Sequence, residues 1–325
     1  MKKRNHVGNI VYFSVVLILV LVMLYSGLQL LESTVFAPTD QQVHQSKTIT
    51  RDGVDYFPRQ DITVLLVMGI DEFGPMTPSG TVSNDGAADM VTLMIFDETN
   101  AQTRILALNR DTMLDVDVLG ISGKKAGTTF AQLAIAHTYG SGMEDSCVNT
   151  VDTVSNFLYG ITIDHYISAN MDAITIMNDA VGGVTVNVVD DFSAVDPSIS
   201  MGSVTLKGQQ VINFVRTRRN LGDQLNISRM ERQKEYAMGF MDAFRDSKAV
   251  SETFAMELFD QVSPYVVTDC SLTVLTDMMD RYADYEIVEI VSPEGENVMG
   301  EEYYEFYADE EALDELILRL FYAPK

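Results

Sequence analysis

Three short segments of the sequence hold carboxylates and an arginine beside apolar runs. Asp71 ends the run DITVLLVMGID, Asp89 opens the segment DMVTLMIFD, and Arg110 lies in NRDT after a third apolar run. Proteins with alternating strands and helices place chemistry at strand ends. Two carboxylates beside an arginine suit a hard divalent cation that bridges a phosphate, and Mg²⁺ is the ion that such oxygens favour. Turn-forming roles for Asp71 and Asp89 remain open from spacing alone.

A second group of charges lies between Arg216 and Lys234. Five arginines and one lysine occur there, in a chain whose formal net charge is −25. Such an acidic chain does not bind nucleic acid or an anionic membrane surface through its overall field, so an anionic ligand needs a local basic cluster. Arg216 and Arg218 alternate, which aims both side chains to one side of an extended segment. A solvated face with salt bridges to nearby acids is the alternative.

The end of this basic segment carries a helix-start signal. Ser228 and Glu231 form an S-x-x-E pattern, which predicts a helix with Ser228 as its N-cap. Arg229, Arg232 and Gln233 then share one face of the first turns. Free backbone N–H groups and the helix dipole favour an anion at that end, and guanidinium groups are suited to bidentate phosphate binding.

The N-terminal part of the chain is predicted to be a membrane anchor. Residues 1–9 form a basic tail, and residues 10–31 carry no charge over a length of ~33 Å as a helix, enough to cross a ~30 Å hydrocarbon core. Lys2, Lys3 and Arg4 keep the tail in the cytoplasm by the positive-inside rule, so the remaining chain is expected outside the cell membrane. A cleaved signal with a site at Val35–Ala37 is the alternative.

The exported part is interpreted as a polar tether at residues 32–60, a catalytic domain at residues 61–250, and a C-terminal extension at residues 251–325 packed on or beside it. Alternating strand and helix patterns predict an α/β fold, a sheet with helices on both faces. Strands are expected on both sides of a turn at residues 98–101. Helices are predicted at residues 128–140, 147–160, about 206–215, 229–248, 251–262, 271–283 and 310–322, and residues 163–189 are predicted to form a strand, a helix and a second strand.

The cysteines and histidines do not indicate a soft-metal site. The chain has two cysteines, four histidines and no CxxC or HExxH pattern. Cys147 and Cys270 fit either one disulfide or two free thiols. His137 is interpreted as a packing or capping residue at a helix end rather than as a catalytic base.

The order of motifs resembles the LytR–CpsA–Psr family of cell-wall proteins. After a single N-terminal apolar span, the resemblance covers roughly residues 61–240 in consistent order and spacing. It is carried by the segments LLVMGID, ADMVTLMIFD, ILALNRDT, AHTYG, DAVGGVTV, LKGQQVINFVRTRR and SRMERQ.

This resemblance implies an enzyme that acts outside the membrane. Members of the family attach glycopolymers to peptidoglycan, taking the sugar phosphate from a polyprenyl-pyrophosphate carrier. The implied fold is an α/β/α sandwich around a central mixed β-sheet, with an apolar pocket for the polyprenyl chain. The implied cofactor is Mg²⁺, and the implied partners are the lipid-linked glycan, peptidoglycan and the membrane through residues 10–31, with no nucleic acid.

The resemblance also implies a role for individual residues. Asp71 and Asp89 would be the carboxylates that hold Mg²⁺ or act as base, and Arg110 would be catalytic and contact the pyrophosphate. The other predicted pyrophosphate-binding residues are Arg216, Arg218, Arg229, Arg232 and Gln233, with Arg232 and Asp111 in supporting positions.

Several positions depart from the family pattern, among them Asn226 in place of an acidic residue. Ala87 replaces an arginine, Gln132 replaces a lysine, and Asn109 replaces a proline. The changes at Ala87 and Gln132 remove positive charge that would neutralise a phosphate. A polyprenyl-pyrophosphate hydrolase and a non-catalytic protein that binds the lipid carrier are therefore alternative functions.

Overall fold

The computed structural model describes residues 48–217, 226–251, 253–282, 285–301 and 303–324. The predicted anchor at residues 10–31 and its basic tail lie outside these ranges. Among the described residues, no helix is both long and apolar enough to span a membrane.

The strands and helices are numbered here in chain order. The strands are β1 (Ile49–Arg51), β2 (Val54–Pro58), β3 (Ile62–Ile70), β4 (Ala88–Asp97), β5 (Gln102–Leu108), β6 (Met113–Leu119), β7 (Lys125–Gln132), β8 (His165–Asn170), β9 (Val184–Val188), β10 (Gly202–Leu206), β11 (Val266–Thr268), β12 (Glu286–Val291), β13 (Gly295–Met299), β14 (Tyr304–Ala308) and β15 (Tyr322–Pro324). The α-helices are α1 (Glu144–Phe157), α2 (Met171–Ala180), α3 (Gln209–Arg216), α4 (Asn226–Val250), α5 (Phe254–Val262), α6 (Leu272–Tyr282) and α7 (Glu310–Phe321), and short 3-10 helices cover Leu133–Thr138 and Ser263–Tyr265.

The described residues contain a central sheet in the order β11-β8-β3-β4-β5-β12. β3, β4 and β5 are antiparallel neighbours, whereas β8 runs parallel to β3 and β12 parallel to β5. β11 is antiparallel to β8 at one edge. The sheet is therefore mixed, as expected. The near-continuous apolar sequence of β3 is typical of a central strand that is buried on both faces.

Each face of this sheet is covered by its own hydrophobic core. Because successive side chains of a strand point to opposite faces, Leu65 and Val67 pack with α2 to α6, while Val64 and Leu66 pack with α1, α7 and the 3-10 helix at Leu133–Thr138. These layers form the predicted α/β fold with helices on both faces of the sheet.

The predicted segment boundaries near residues 60 and 250 do not separate structural units. β11 and β12, both from the C-terminal extension, form the two edges of the central sheet. β2, from the predicted tether, pairs with β15 at the opposite end of the described chain. The extension completes the domain because its backbone hydrogen bonds belong to the same sheets.

Two local predictions were wrong. The helix expected at residues 128–140 is strand β7 followed by a 3-10 helix, because β7 pairs antiparallel with β6 along its length. Ser228 is not an N-cap, since α4 already begins at Asn226. The helix therefore starts earlier than predicted, by an amount within the one or two residues by which assigned helix ends commonly vary.

Candidate functional site

Asp71, Asp89 and Arg110 lie at one end of the central sheet. Asp71 follows the last residue of β3, and Asp89 is the second residue of antiparallel β4, where Ile70 pairs with Ala88. Arg110 comes two residues after β5, which pairs with β4 at the same end. Because strand ends converge there, three segments that are separate in sequence meet, as the sequence predicted.

Two ion pairs link these strand ends to each other and to helix α3. Arg110 Nη1 donates a hydrogen bond to Asp89 Oδ1, and its Nε lies 3.5 Å from Asp111 Oδ1. Arg216, the last residue of α3, donates from Nη2 to both carboxylate oxygens of Asp71 at 2.7 and 2.9 Å. The side chains of these two pairs are between 21% and 38% exposed, so a ligand can reach them from solvent.

The surroundings of Asp89 shift the pKa of its carboxyl group. Burial raises the pKa of Asp89 above its ordinary value; the positive charge of Arg110 opposes this shift, and the negative charge of Asp71 adds to it. The two carboxylates are thus close enough to repel one another. A divalent cation between them would relieve that repulsion, and a raised pKa suits a carboxylate that accepts a proton.

The loop from residue 71 to residue 87 is held by hydrogen bonds to its backbone carbonyls. The Asp71 N–H donates to the Ala87 carbonyl at 3.1 Å, and Asn170 Nδ2 donates to the Gly74 carbonyl at 2.6 Å. A Cβ at Gly86 would lie 2.8 Å from a methyl group of Ile70. Only glycine fits there, so the loop returns closely against β3 and presents Asp89 beside Asp71.

His137 supports the same loop from the core. Its Nδ1 lies 2.8 Å from the Gly86 carbonyl, which can only accept, so Nδ1 carries the hydrogen. Burial lowers the pKa of His137 from its ordinary value of 6.5 to about 4. The neutral ring therefore acts as a packing and hydrogen-bonding residue at neutral pH, in agreement with the sequence interpretation.

Arg232 is buried beneath the site rather than on its surface. Its Nε donates to the Phe214 carbonyl at 2.9 Å, and its other nitrogens donate to the Thr217 carbonyl and to Asp190. These bonds hold the C-terminal end of α3, which carries Arg216. We therefore revise its predicted direct contact with a pyrophosphate, and assign Arg232 to positioning Arg216. No sequence pattern marked Asp190 as its partner.

The other predicted binding residues stay predictions. Arg218 lies outside the described residues, and Arg229 and Gln233 lie on α4 at positions whose side chains the structure does not describe.

Two of the positions that depart from the family pattern, Gln132 and Asn109, make hydrogen bonds beside Arg110. Gln132 Nε2 donates to Asp111 Oδ1 at 3.3 Å and to the Tyr304 carbonyl at 2.7 Å. Asn109 Oδ1 accepts from the Asp111 N–H at 3.0 Å, which shapes the turn after Arg110. Gln132 thus joins the site to the segment around Tyr304, a contact that the sequence did not indicate.

The two cysteines lie apart from the site. Both are free and buried, with Cys147 in the core on one face of the sheet and Cys270 in the core on the other. The sequence had left open a disulfide and two free thiols, and the structure has two free thiols.

Comparison with known proteins agrees with this fold. A sequence profile described as the LytR_cpsA_psr family matches residues 27–321. The polyisoprenyl-teichoic acid–peptidoglycan teichoic acid transferase TagU of Bacillus subtilis is 27% identical over 289 residues, which are 87% of this chain and 86% of the relative.

Solved structures share the same arrangement of strands and helices. B. subtilis TagV superposes with a TM-score of 0.57 at 23% identity, covering 81% of this chain and 96% of that chain. A structure of TagT bound to LI-WTA superposes with a TM-score of 0.59 at 20% identity, covering 89% of this chain and 98% of that chain. At these identities the likeness shows a common fold.

Proposed function

This chain belongs to the LytR_cpsA_psr family, and we propose that it transfers a glycopolymer phosphate from a polyprenyl-pyrophosphate carrier to peptidoglycan, outside the membrane that residues 10–31 would span. Relatives such as TagU carry the name of teichoic acid–peptidoglycan transferases. The observation that carries the proposal is the pairing of two arginines with two carboxylates, Arg110 with Asp89 and Arg216 with Asp71, at one end of the sheet.

Arg110 and Arg216 are the groups that would hold the pyrophosphate. Each guanidinium now neutralises a carboxylate, and each is exposed enough to exchange that partner for a phosphate oxygen. Arginine binds phosphate with two parallel N–H bonds, which orients the phosphorus as well as neutralising its charge. Arg218, Arg229 and Gln233 are expected to complete this set, with Arg232 holding α3 in place.

Asp71 and Asp89 would hold Mg²⁺. Their oxygen donors and their mutual repulsion fit a hard divalent cation, which prefers carboxylates and substrate phosphates as ligands. When bound, the ion would supply positive charge to the phosphate oxygens during transfer. It would also leave Arg110 and Arg216 free of their carboxylate partners.

The chemistry needs positioning and charge neutralisation more than covalent help from the protein. A hydroxyl oxygen of the acceptor attacks the phosphorus that carries the glycan, and a new P–O bond forms. The P–O bond of the pyrophosphate bridge breaks, and polyprenyl phosphate leaves. One of the two carboxylates, Asp71 or Asp89, accepts the hydroxyl proton.

Product analysis tests this proposal. The full chain in detergent would receive Mg²⁺, a short polyprenyl-pyrophosphate glycan and peptidoglycan oligomers, beside Arg110→Ala and, as a matched control, the exposed and distant Arg281→Ala. We expect a sugar-phosphate adduct on the oligomer that Arg110→Ala loses and Arg281→Ala keeps. Free sugar phosphate alone would indicate a hydrolase. Lipid binding without turnover would indicate a carrier-binding protein, the role that fits the missing charge at Ala87.

A further inference from the structure

An exposed pair of aromatic side chains lies beside the candidate site. Phe130 on β7 is 59% exposed, and Tyr304 at the start of β14 is 63% exposed. They belong to two hairpins, β6–β7 and β13–β14, that come from distant parts of the chain. Large exposed aromatic groups that cluster beside a site commonly mark a binding surface.

Backbone and side-chain contacts fix these hairpins to the loop that carries Arg110. Phe306 donates its N–H to the Asp111 carbonyl at 2.8 Å, and Thr112 forms a parallel bridge with Phe306. Arg110 and Asp111 form the turn between β5 and β6, so these contacts place β14 beside the segment that carries Arg110.

Gln132 ties the second hairpin to the same place. Its amide donates to the Asp111 carboxylate and to the Tyr304 carbonyl. Phe130 precedes Gln132 by two residues on β7, so both side chains project from the same face of the hairpin. Phe130 and Tyr304 therefore flank Gln132, whose side chain contacts Asp111 in the site.

The charge around the aromatic pair indicates what it binds. Residues 285–308 contain no lysine or arginine, and Glu294, Glu296 and Glu301 are exposed there. This side of the site repels a pyrophosphate, which the arginines Arg110 and Arg216 attract. An uncharged sugar ring suits the aromatic side, because its C–H groups pack against the electron-rich face of an aromatic ring.

We propose that Phe130 and Tyr304 form an acceptor subsite that binds the glycan strand of peptidoglycan by stacking against its sugar rings. This inference rests on the proposed transferase function and specifies how the second substrate is held. Aromatic side chains supply a large, rigid contact area at a low entropy cost, which suits the C–H faces of successive sugar rings. The subsite would place an acceptor hydroxyl next to the pyrophosphate held by Arg110.

Steady-state kinetics of the full chain test the subsite through the two substrates separately. In Phe130→Ala and Tyr304→Ala we expect the KM for the peptidoglycan oligomer to rise about five-fold or more in each variant. The KM for the lipid-linked donor and kcat at saturating acceptor are expected to stay unchanged. Tyr159→Ala is the matched control, because Tyr159 is exposed before β8, at the opposite end of the sheet. Unchanged acceptor KM in both variants would overturn the subsite.

A direct binding measurement separates this inference from the transferase proposal. The chain has no tryptophan, so Tyr304→Trp, or Phe130→Trp if the first variant folds poorly, introduces a single fluorescent reporter that can still stack on a sugar. We expect its emission to change when a peptidoglycan glycan fragment is added without donor. Glycan binding without any transfer would support the subsite and contradict the transferase. Transfer with no fluorescence response in either variant would contradict the subsite alone. An emission change on adding an unrelated protein, with none on adding the glycan fragment, would do the same.

Discussion

Arg216 and Asp71 are 145 residues apart in sequence, yet Arg216 Nη2 donates to both oxygens of the Asp71 carboxylate at 2.7 and 2.9 Å. The pair joins the end of helix α3 to the end of strand β3. It gathers an arginine from the basic segment and a carboxylate from a strand end into one site.

Replacing Arg216 is expected to impair transfer without unfolding the protein. A half-exposed ion pair contributes only about 0–1 kcal/mol to stability, whereas the loss of one group that stabilises transition-state charge costs roughly 10²–10³ in kcat. Arg216→Lys should recover only part of this loss, because lysine lacks the planar fork. Arg281→Ala is the control in both the activity and the thermal unfolding assays. A large drop in the melting temperature of Arg216→Ala would instead assign Arg216 to structure.

Transfer is expected to require a divalent cation held by Asp71 and Asp89. Chelation should abolish turnover and added Mg²⁺ should restore it. Asp71→Asn and Asp89→Asn should each raise the Mg²⁺ concentration needed for half-maximal activity, because each loses a charged ligand. Asp117→Asn is a suitable control, since Asp117 pairs with Lys125 on the β6–β7 hairpin. Equal Mg²⁺ dependence in all three variants would exclude the two carboxylates as ligands.

Arg232 is expected to matter for stability more than a surface arginine does. Arg232→Ala would leave Asp190 without its charged partner and the Phe214 carbonyl without its donor. Breaking a buried ion pair in this way costs about 3–5 kcal/mol. Urea unfolding would measure the loss, and Arg216→Ala serves as the reference with a much smaller effect. A loss of activity with unchanged unfolding would contradict the positioning role.

His137 is expected to make the protein less stable as the pH falls from about 6.5 towards 4. Its pKa is lowered from 6.5 to about 4 in the folded state, so the unfolded chain binds the proton first and acid favours unfolding. The contribution is fully present above pH 6.5 and decreases by about 2 kcal/mol between pH 7 and pH 5.

Urea unfolding of the wild type and of His137→Gln, each at pH 7 and at pH 5, would test this expectation. The variant should lose less stability between them, although it is less stable at pH 7. Equal losses in the two proteins would show that His137 does not titrate in this window. The comparison removes the opposing effect of His165, whose pKa is raised by its hydrogen bond with Asp269.

Much of the fold followed from local sequence patterns. The apolar run of β3, the turn at residues 98–101 and the helices α1, α2 and α7 were predicted because burial and backbone geometry impose periods of two and 3.6 residues. β7 was the exception. Its residues suit a helix in composition, and pairing with β6 overrode that preference. The edge strands β11 and β12 could not be assigned to the sheet from pattern alone, because pairing partners are non-local.

The sequence by itself determined the residue types of the site and the strand ends that carry Asp71, Asp89 and Arg110. Only the tertiary structure decided which charge meets which. Arg216 pairs with Asp71 and reaches the solvent-facing site, whereas Arg232, of the same residue type and in the same basic segment, turns inward to Asp190 and two backbone carbonyls. The physical reason is that a side chain's partners depend on how helices pack on the sheet, and this packing joins residues that no local spacing relates.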